Sequence, residues 1–326
     1  MIVALAGTYP NGTFESFRER LPEDVELLKI DTPEKYAALD RADVMILRIF
    51  RAEKADIERI KGLKMISRWG VGYDSVDVAA ASSKGILVTN TPGSNAYAVA
   101  EHSVLLMLAL CHHLTEHNAF TQKGDWSNKT FLETTRTLND AKVGLIGGGN
   151  VGRQVAKRVQ AFGASVQYFD PYRLSEEMEK KFDMEFVSLD ELLRTSDFIS
   201  VHAPLTDENY HMIGEEAFAK MKPTAIVINT ARGGLIDEAA LIRAIDEGRI
   251  AGAGIDCIEK MPLTADEPLL GRGNIIVTPH VAGTSNDIAT VTIPMLVDTI
   301  MDLYKGGKVR FVVNKAALEA AGYELA

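Results

Sequence analysis

Short apolar runs alternate with longer amphipathic stretches along most of the chain. A first series occupies residues 2–6, 25–30, 43–47, 64–67 and 86–89, and a second series occupies residues 142–147, 165–169, 198–203, 225–229, 251–257 and 275–278. Apolar runs of strand length between helix-length segments indicate βαβ units, whose parallel strands are buried on both faces. The pattern therefore predicts an α/β protein built on parallel sheets.

The two series predict two domains, with the second inserted into the first. A long apolar helix at 101–110 precedes the second series, and the 48 residues after Thr278 are too few for a separate core. This tail contains a predicted helix at 286–304 and a predicted short strand at 309–313, and we expect it to pack on the first domain. The predicted bounds are residues 1–98 with 285–326 for one domain and residues 99–284 for the other. Two chain crossings between domains form a natural hinge with a cleft.

The composition is that of an ordinary globular protein with an acidic balance. Apolar residues make up 46% and charged residues 25% of the 326 positions, and the formal net charge is −10. This charge argues against binding to nucleic acid or to an anionic membrane, because both need a basic face. The longest apolar run, at 104–111, is too short to span a bilayer, and the first ten residues do not resemble a signal peptide.

The cysteine and histidine residues bear on two questions: whether the protein binds a metal and which cellular compartment it occupies. Cys111 and Cys257 cannot form a disulfide framework, and no Cys/His group has the spacing of metal ligands. We therefore expect no metal site, and we expect a reducing, cytoplasmic location with a small molecule as the binding partner.

The strongest local signal is a glycine-rich turn between a predicted strand and a predicted helix. Gly147, Gly149 and Gly152 form a G-x-G-x-x-G pattern at the end of the run KVGLIG. The first glycine permits a tight turn, the second lets the backbone approach a pyrophosphate, and the third lets helix and strand pack closely. The amides at the helix start, where Asn150 and Val151 lie, would bind the pyrophosphate. A glycine turn without a nucleotide is the competing explanation.

An acidic residue supports the dinucleotide interpretation. Asp170 ends the next predicted strand, eighteen residues beyond Gly152. A carboxylate at that position accepts hydrogen bonds from the adenosine ribose and repels a 2′-phosphate, so NAD is favoured over NADP. Arg173 lies nearby in the sequence and weakens that preference.

Three polar residues stand at the ends of predicted strands in the second series. Arg232 follows the run AIVIN, Asp256 lies near the end of AGAGIDC, and His280 follows IIVT. The carboxyl ends of parallel strands share one edge of a sheet, where open α/β folds bind ligands, so we predict that these side chains cluster. A guanidinium can bind a carboxylate through two parallel hydrogen bonds, and histidine exchanges a proton near neutral pH. Taken alone, Arg232 could equally form a surface salt bridge.

Several stretches together resemble the D-isomer-specific 2-hydroxyacid dehydrogenase family, in its short form without a C-terminal regulatory domain. They are SRWGVGYDSVD (67–77), NTPGSNAYAVAEH (90–102), VGLIGGGNVGR (143–153), HAPLTDEN (202–209), VINTARGGLIDE (227–238), GAGIDC (252–257) and VTPHVAGTS (277–285). The resemblance implies two Rossmann-like or flavodoxin-like domains, with the NAD domain inserted into a discontinuous substrate domain. It also implies NAD-dependent interconversion of a 2-keto acid and an (R)-2-hydroxy acid.

The resemblance further implies a role for each site residue. Arg232 would bind the substrate carboxylate and polarise the 2-oxygen, and His280 would exchange a proton with that oxygen. The residues implied for the substrate are Arg48, Val71, Gly72 and Asn95. Those implied for NAD are Gly147, Gly149, Asn150, Val151, Gly152, Asp170, His202, Thr206, Thr230, Ala231, Asp256 and Gly283, with Asp256 assigned to the nicotinamide carboxamide.

One position departs from the family pattern. The family's third catalytic residue is a glutamate that pairs with the histidine, and Met261 stands in its place, before Pro262. A methionine can neither raise the pKa of an imidazole nor fix its orientation by charge. Three explanations remain open: Glu259 replaces the glutamate, a water or another polar group does so, or catalysis is weak.

The third explanation leads to an alternative function. The chain would then be an NAD(H)-sensing regulatory protein, as the family's transcriptional corepressors are. The resemblance also implies a homodimer formed through the helix near 101–111. The apolar content of 104–111 fits that role, although a helix buried within one chain would look the same.

Overall fold

The chain divides into two compact units. The structure is a computed structural model that describes residues 1–127 and 129–323. One unit comprises Met1–Asn95 and Ser285–Ala326, and the other comprises Ala96–Thr284. The boundaries predicted from the sequence fall at 98/99 and 284/285, and residues 324–326 of the predicted first domain lie outside the described residues.

The first unit contains a five-stranded parallel sheet in the order β2-β1-β3-β4-β5. Its strands are β1 (Ile2–Ala6), β2 (Glu26–Ile30), β3 (Val44–Leu47), β4 (Met65–Arg68) and β5 (Leu87–Thr89). Its helices are α1 (Thr13–Arg20), α2 (Pro33–Ala38), α3 (Lys54–Arg59), α4 (Val78–Ser83), α12 (Ile288–Tyr304) and α13 (Lys315–Ala320). This strand order is the flavodoxin-like one.

Both faces of this sheet are covered, as the apolar strand sequences predict. Ala4 and Met45 belong to one apolar cluster, whereas their chain neighbours Leu5 and Ile46 belong to another. Successive side chains of a strand point to opposite faces, so each strand contributes to both layers of the core.

The second unit contains a seven-stranded parallel sheet in the order β12-β11-β10-β9-β6-β7-β8. Its strands are β6 (Lys142–Ile146), β7 (Ser165–Phe169), β8 (Glu185–Phe186), β9 (Phe198–Val201), β10 (Ile226–Asn229), β11 (Gly252–Ile255) and β12 (Ile275–Val277). Its helices are α5 (Ala96–Cys111), α6 (Leu114–Gln122), α7 (Asn150–Ala161), α8 (Glu176–Phe182), α9 (Leu189–Thr195), α10 (Glu215–Lys220) and α11 (Glu238–Asp246). The strand order is that of a Rossmann fold, and it reverses between β6 and β9, where such folds bind dinucleotides.

Helix α5 lies close against the sheet of the second unit. Eleven of its sixteen residues are buried. Gly254 on β11 permits this approach, because a Cβ atom at that position would lie 2.9 Å from Cβ of Leu106. Over the described residues, no single helix has the length and hydropathy of a membrane span. Helices α5 and α6 together have that length and hydropathy, but the pair is bent by 61° between them.

The tail of the chain differs from the sequence expectation at one element. The predicted strand at 309–313 is wrong, because only Val312 forms an isolated bridge, with Thr89. Phe311 has φ of 60°, which interrupts the extended conformation that a strand needs. Asn314 holds the segment instead, since its side chain accepts from the Val88 amide at 2.8 Å.

Candidate active site

The glycine-rich turn follows β6 and opens helix α7 at the point where the strand order reverses. Gly147 has φ of 109°, and a Cβ atom there would lie 2.9 Å from the carbonyl carbon of His202. A Cβ atom at Gly152 would overlap the carbonyl oxygen of Gly147, which is the close helix–strand contact that the third glycine serves. At Gly149, an added Cβ would meet no atom within 4 Å. The turn is therefore tight on its protein side and open at its second glycine.

The start of α7 provides donors for an anion. Asn150 and Val151 are its first residues, and the first amides of a helix have no acceptor within it. The side chain of Asn150 accepts from Nη2 of Arg153 at 2.8 Å, so this guanidinium is bound beside the turn. Amides at the positive end of a helix of twelve residues suit a pyrophosphate.

Asp170 is bound to the same turn. It follows β7, and its Oδ2 accepts from the Gly148 amide at 2.9 Å while its Oδ1 accepts from the Tyr172 amide at 2.9 Å. Arg173, the cation that weakened the preference for NAD, is engaged elsewhere. It donates to Glu179 through Nε at 2.8 Å and Nη2 at 3.0 Å, and this pairing lowers the pKa of Glu179 to about 2.

His202 lies at the end of β9 against Gly147. Its Nε2 is 2.9 Å from Oγ of Ser200, and burial lowers the pKa of His202 to about 3. The imidazole is therefore neutral at physiological pH. Thr206 lies farther along this loop, is exposed, and donates its amide to Oδ1 of Asn209 at 2.8 Å.

Arg232 stands three residues beyond β10 in a turn closed by a buried asparagine. The side chain of Asn229 donates to the carbonyl of Arg232 at 2.8 Å and accepts from the Ala231 amide at 3.0 Å. Arg232 is half-buried, and its Nη1 donates to the Ala231 carbonyl at 2.7 Å. Gly233 lets this turn lie against the chain after β11, because a Cβ atom there would overlap the backbone of Ile258.

Cys257 joins the turn to the strand beside it. Its thiol donates to the carbonyl of Ala231 at 3.4 Å. Burial, with a smaller contribution from the charge of Asp256, raises the pKa of Cys257 to about 12 against the opposing effect of Arg232. The thiol is therefore protonated and packs between the two loops.

Asp256 organises the loop that follows β12. Its carboxylate accepts from Oγ1 of Thr278 at 2.6 Å and from the amides of Val281 and Ala282, each at 2.9 Å. Its side chain has no exposed surface, so it lies behind the surface on which a ligand would rest. Gly283 completes this loop, inside the turn in which the Thr284 amide donates to the Val281 carbonyl at 2.8 Å.

His280 is presented by this loop. It is exposed, has φ of 54°, and donates its amide to the carbonyl of Asp256 at 2.9 Å. Nδ1 of its ring lies 3.4 Å from Sδ of Met261. Glu259 faces another group, because its Oε1 lies 2.7 Å from Nε2 of His211. The thioether, and not this carboxylate, is therefore the neighbour of the His280 ring.

The sheet brings Arg232 and His280 to one edge. They follow β10 and β12, which flank β11, so two strand spacings, about 10 Å, separate the strands that carry them. Asp256, between them, holds the His280 loop from behind. The three predicted residues thus belong to one edge, where His280 is exposed, Arg232 is half-buried and Asp256 is buried.

The residues predicted to bind substrate all lie in the first unit, beyond the carboxyl ends of its strands. Arg48 follows β3 and donates to the carbonyl of Thr8, Val71 and Gly72 follow β4, and Asn95 follows β5. The Val71 carbonyl accepts from the side chain of Asn90 at 2.8 Å, and Asn95 is half-buried.

Several organising residues were not identified from the sequence. Arg68 donates to the carbonyls of Leu47, Arg48 and Gly72 and so fixes the loop after β4. In the second unit, the residues whose side-chain hydrogen bonds hold the chain after the strands are Asn229, His102 and Ser103. A signal was available for the last two, since they follow Glu101 in a run of three polar residues inside a mainly apolar helix.

Comparison with known proteins places the chain in a family. Residues 104–282 match the model described as D-isomer specific 2-hydroxyacid dehydrogenase, NAD binding domain. The chain belongs to this family. NAD is therefore the cofactor of the second unit, and the open second glycine, the amides at the start of α7 and the carboxylate of Asp170 fit it.

Relatives cover most of the chain. The D-3-phosphoglycerate dehydrogenase of Archaeoglobus fulgidus is 40% identical over 269 residues, which are 82% of this chain and 50% of that protein. The hydroxypyruvate reductase of Thermotoga maritima is 40% identical over 270 residues, 82% of this chain and 83% of that protein. The chain spans about half the length of the phosphoglycerate dehydrogenases that it matches.

A solved structure agrees with the fold. The NAD complex of the D-isomer specific 2-hydroxyacid dehydrogenase from Lactobacillus delbrueckii ssp. bulgaricus is 27% identical, with a TM-score of 0.81 over 96% of this chain and 100% of that one. The predicted α/β class with two parallel sheets is confirmed.

Gly149→Ala should weaken NADH binding without unfolding the turn. The added methyl group meets no atom within 4 Å, and φ of −67° suits alanine, so Tm should stay within about 2 °C of wild type. The same group would obstruct a pyrophosphate, so the Kd for NADH in a fluorescence titration should rise at least about tenfold. Gly273→Ala, whose methyl group would meet nothing closer than 3.8 Å, is the control. An unchanged Kd for Gly149→Ala would contradict the assignment.

The neutral His202 predicts a loss of stability in acid. Its pKa is about 3 when folded and about 6.5 when unfolded, so between these values the unfolded chain binds a proton that the native one does not. This contribution is complete above pH 6.5 and should fall by about 1–2 kcal/mol between pH 7 and pH 5. Denaturant unfolding at both pH values should show a smaller loss for His202→Gln. Equal losses in the two proteins would contradict the prediction.

Proposed function

We propose that this protein catalyses NAD-dependent interconversion of a small 2-keto acid and the corresponding (R)-2-hydroxy acid. The observation that carries the proposal is the placement of Arg232 and His280 at one sheet edge of an NAD-binding unit. The relatives named above include a hydroxypyruvate reductase, which acts on a substrate of this class.

The proposed chemistry divides between two side chains. Reduction of a 2-keto acid places negative charge on the 2-oxygen, which needs a cation to stabilise it and an acid to protonate it. We assign carboxylate binding and polarisation of the 2-oxygen to Arg232, because its fork matches a carboxylate. We assign the proton to His280. Bound NADH supplies the hydride, and NAD accepts it in the reverse direction.

Met261 shapes how His280 works. A thioether sulfur is a weak acceptor without a hydrogen to donate, so of the two neutral tautomers its contact favours the one that carries the proton on Nδ1. The lone pair then lies on Nε2, ready to accept a proton when a hydroxy acid is oxidised. Reduction uses the protonated form of His280 as the proton donor. Beside Nδ1 of that ring stands the thioether of Met261, which cannot stabilise the positive charge as the carboxylate of a glutamate would. We therefore infer modest reductase turnover at neutral pH.

The remaining predicted residues keep their roles as part of the proposal. Their position at the ends of β3, β4 and β5 supports substrate binding by Arg48, Val71, Gly72 and Asn95. The residues proposed to line the cofactor are Gly147, Gly149, Asn150, Val151, Gly152, Asp170, His202, Thr206, Thr230, Ala231 and Gly283. Asp256 is the exception: it was predicted to hold the nicotinamide carboxamide, but because its side chain has no exposed surface we infer that it acts by holding the loop of His280.

The direct test is NADH oxidation with a panel of 2-keto acids: glyoxylate, pyruvate, hydroxypyruvate, and branched and aromatic acids. We expect turnover of at least one, loss of at least about 100-fold in kcat/KM for Arg232→Ala, and an (R)-configured product. NADH binding without turnover of any acid would overturn the proposal. It would favour the second candidate, an NAD(H)-sensing regulatory protein, for which the Met261–His280 contact is the supporting observation.

Met261→Glu should raise the rate of reduction. A carboxylate beside Nδ1 would stabilise the imidazolium, so kcat for keto-acid reduction at pH 7.5 should rise roughly tenfold and the activity should extend to higher pH. Met261→Gln, which has similar length but no charge, is the matched control and should change kcat less than about threefold. Equal rates for Met261→Glu and wild type would show that the missing carboxylate does not limit turnover.

We also propose that the protein forms a homodimer through the segment from α5 to residue 132. Four large apolar side chains are exposed there: Leu105, Leu114, Trp126 and Leu132. Trp126 is 84% exposed, and an exposed tryptophan among other apolar side chains is typical of interfaces between proteins.

Leu105→Glu combined with Trp126→Ser should shift the protein toward the monomer, because charge and lost area disfavour burial at an interface. Light scattering after gel filtration would measure the mass at several concentrations. Tyr172→Ser removes an aromatic side chain that is 86% exposed outside this segment, and it should leave the mass unchanged. A wild-type mass of one chain at all concentrations would contradict the proposed dimer.

A further inference from the structure

Helix α5 contacts the chain just before each of the two proposed catalytic residues. His102 and Ser103 are consecutive residues of α5. His102 lies 3.0 Å from Oγ1 of Thr278, and Ser103 lies 2.9 Å from Oγ1 of Thr230. Each threonine stands two positions before a proposed catalytic residue, Thr278 before His280 and Thr230 before Arg232. One short piece of helix is therefore bound to both strand ends that carry the site.

The direction of the bonds at His102 follows from the donors available. Thr278 has one hydroxyl hydrogen, which it donates to Oδ1 of Asp256 at 2.6 Å. Its oxygen must then accept from Nε2–H of His102. The result is a chain from His102 through Thr278 to Asp256, whose carboxylate also accepts from the amides of Val281 and Ala282, the two residues that follow His280.

The bond at Ser103 is assigned in the same way. The Ser103 hydroxyl donates to the carbonyl of Val99 at 2.8 Å, so it accepts from the hydroxyl of Thr230. Both side chains are buried, Ser103 fully and Thr230 at 7% exposure. A hydrogen bond away from water fixes the relative position of its two elements, because breaking it leaves buried polar groups unsatisfied.

The helix itself is held at a fixed height along the sheet. Gly254 on β11 receives Leu106, which lies one turn after His102, about 6 Å farther along the helix axis. The close contact at Leu106 therefore fixes the position of the preceding helical turn, which carries His102 and Ser103, relative to the strand ends. The two polar residues are therefore attached to a rigid element and not to a loop.

We propose that His102 and Ser103 are positioning residues, which act through Thr278 and Thr230 to hold His280 and Arg232 at the correct separation. This inference rests on the proposed function for the identity of the reaction. The attachment of the two loops to α5 can be tested without any turnover.

The kinetic test compares variants at His102 and Ser103. His102→Leu removes the donor, whereas His102→Gln keeps a donor nitrogen at a similar reach, and Ser103→Ala removes the acceptor. We expect kcat to fall roughly 10- to 100-fold for His102→Leu and Ser103→Ala, with KM for NADH within about threefold and recovery to within about threefold in His102→Gln. Ser83→Ala, at an exposed serine at the end of α4, is the matched control for Ser103→Ala and should keep the wild-type rate. Values of kcat within about twofold of wild type for both variants would overturn the proposal.

Hydrogen exchange measured by mass spectrometry provides the test that does not depend on activity. His102→Leu should speed exchange in peptides covering 278–284, and Ser103→Ala should do so in peptides covering 230–236, while peptides from β6 and β9 keep their wild-type protection. An equal increase over the whole unit would mean general destabilisation and would overturn the positioning role. If the wild-type protein turns over no acid, the proposed function fails, and the local exchange pattern still decides whether α5 holds the two loops.

Discussion

The buried carboxylate of Asp256 is the interaction on which the site depends. A carboxylate without exposed surface costs several kcal/mol unless its oxygens are hydrogen-bonded, and here three donors satisfy it. All three come from the segment Thr278–Ala282, so that segment has one conformation in which the charge is compensated. His280 lies inside it with φ of 54°, a conformation that non-glycine residues rarely adopt without such support. The exposed imidazole is thus fixed from behind by a carboxylate that has no exposed surface.

Parallel sheet topology extends this constraint to the rest of the site. The order β12-β11-β10 places the Asp256 strand between the strands of His280 and Arg232, and the reversal between β6 and β9 places the glycine turn on the same edge. Helix α5 then contacts both outer strand ends. Met261 differs from this rigid frame, because a soft, exposed thioether contacts the His280 ring at the position where the resemblance to the family predicts a carboxylate. The frame that positions His280 is intact, whereas the charge that would stabilise its protonated form is missing.

Much of the fold could be predicted because strand burial in parallel sheets leaves a direct trace in the sequence. Each apolar run in the two series overlaps a strand of the structure. The two-residue strand β8 was missed because so short an edge element has no periodic signal. The predicted strand at 309–313 does not form because φ of 60° at Phe311 interrupts it and leaves Val312 with a single bridge to Thr89. The candidate site was predictable only where a residue type has one evident use, as for Arg232, His280 and the three glycines. Hydrogen bonds between distant segments, which a linear pattern does not reveal, are formed by Arg68, His102 and Ser103. Asn229 closes a local turn, and the sequence does not show which backbone groups it binds.

The most direct test of the central claim is a crystal structure of the protein with NADH and oxamate, an unreactive analogue of a 2-keto acid. We predict that the Arg232 guanidinium lies about 3 Å from two oxygens of oxamate, which are either both carboxylate oxygens or one of them and the adjacent carbonyl oxygen. Nε2 of His280 should lie about 3 Å from that carbonyl oxygen. The pyrophosphate should lie over Gly149. An oxamate bound away from either side chain, or a dinucleotide that avoids the glycine turn, would contradict the account.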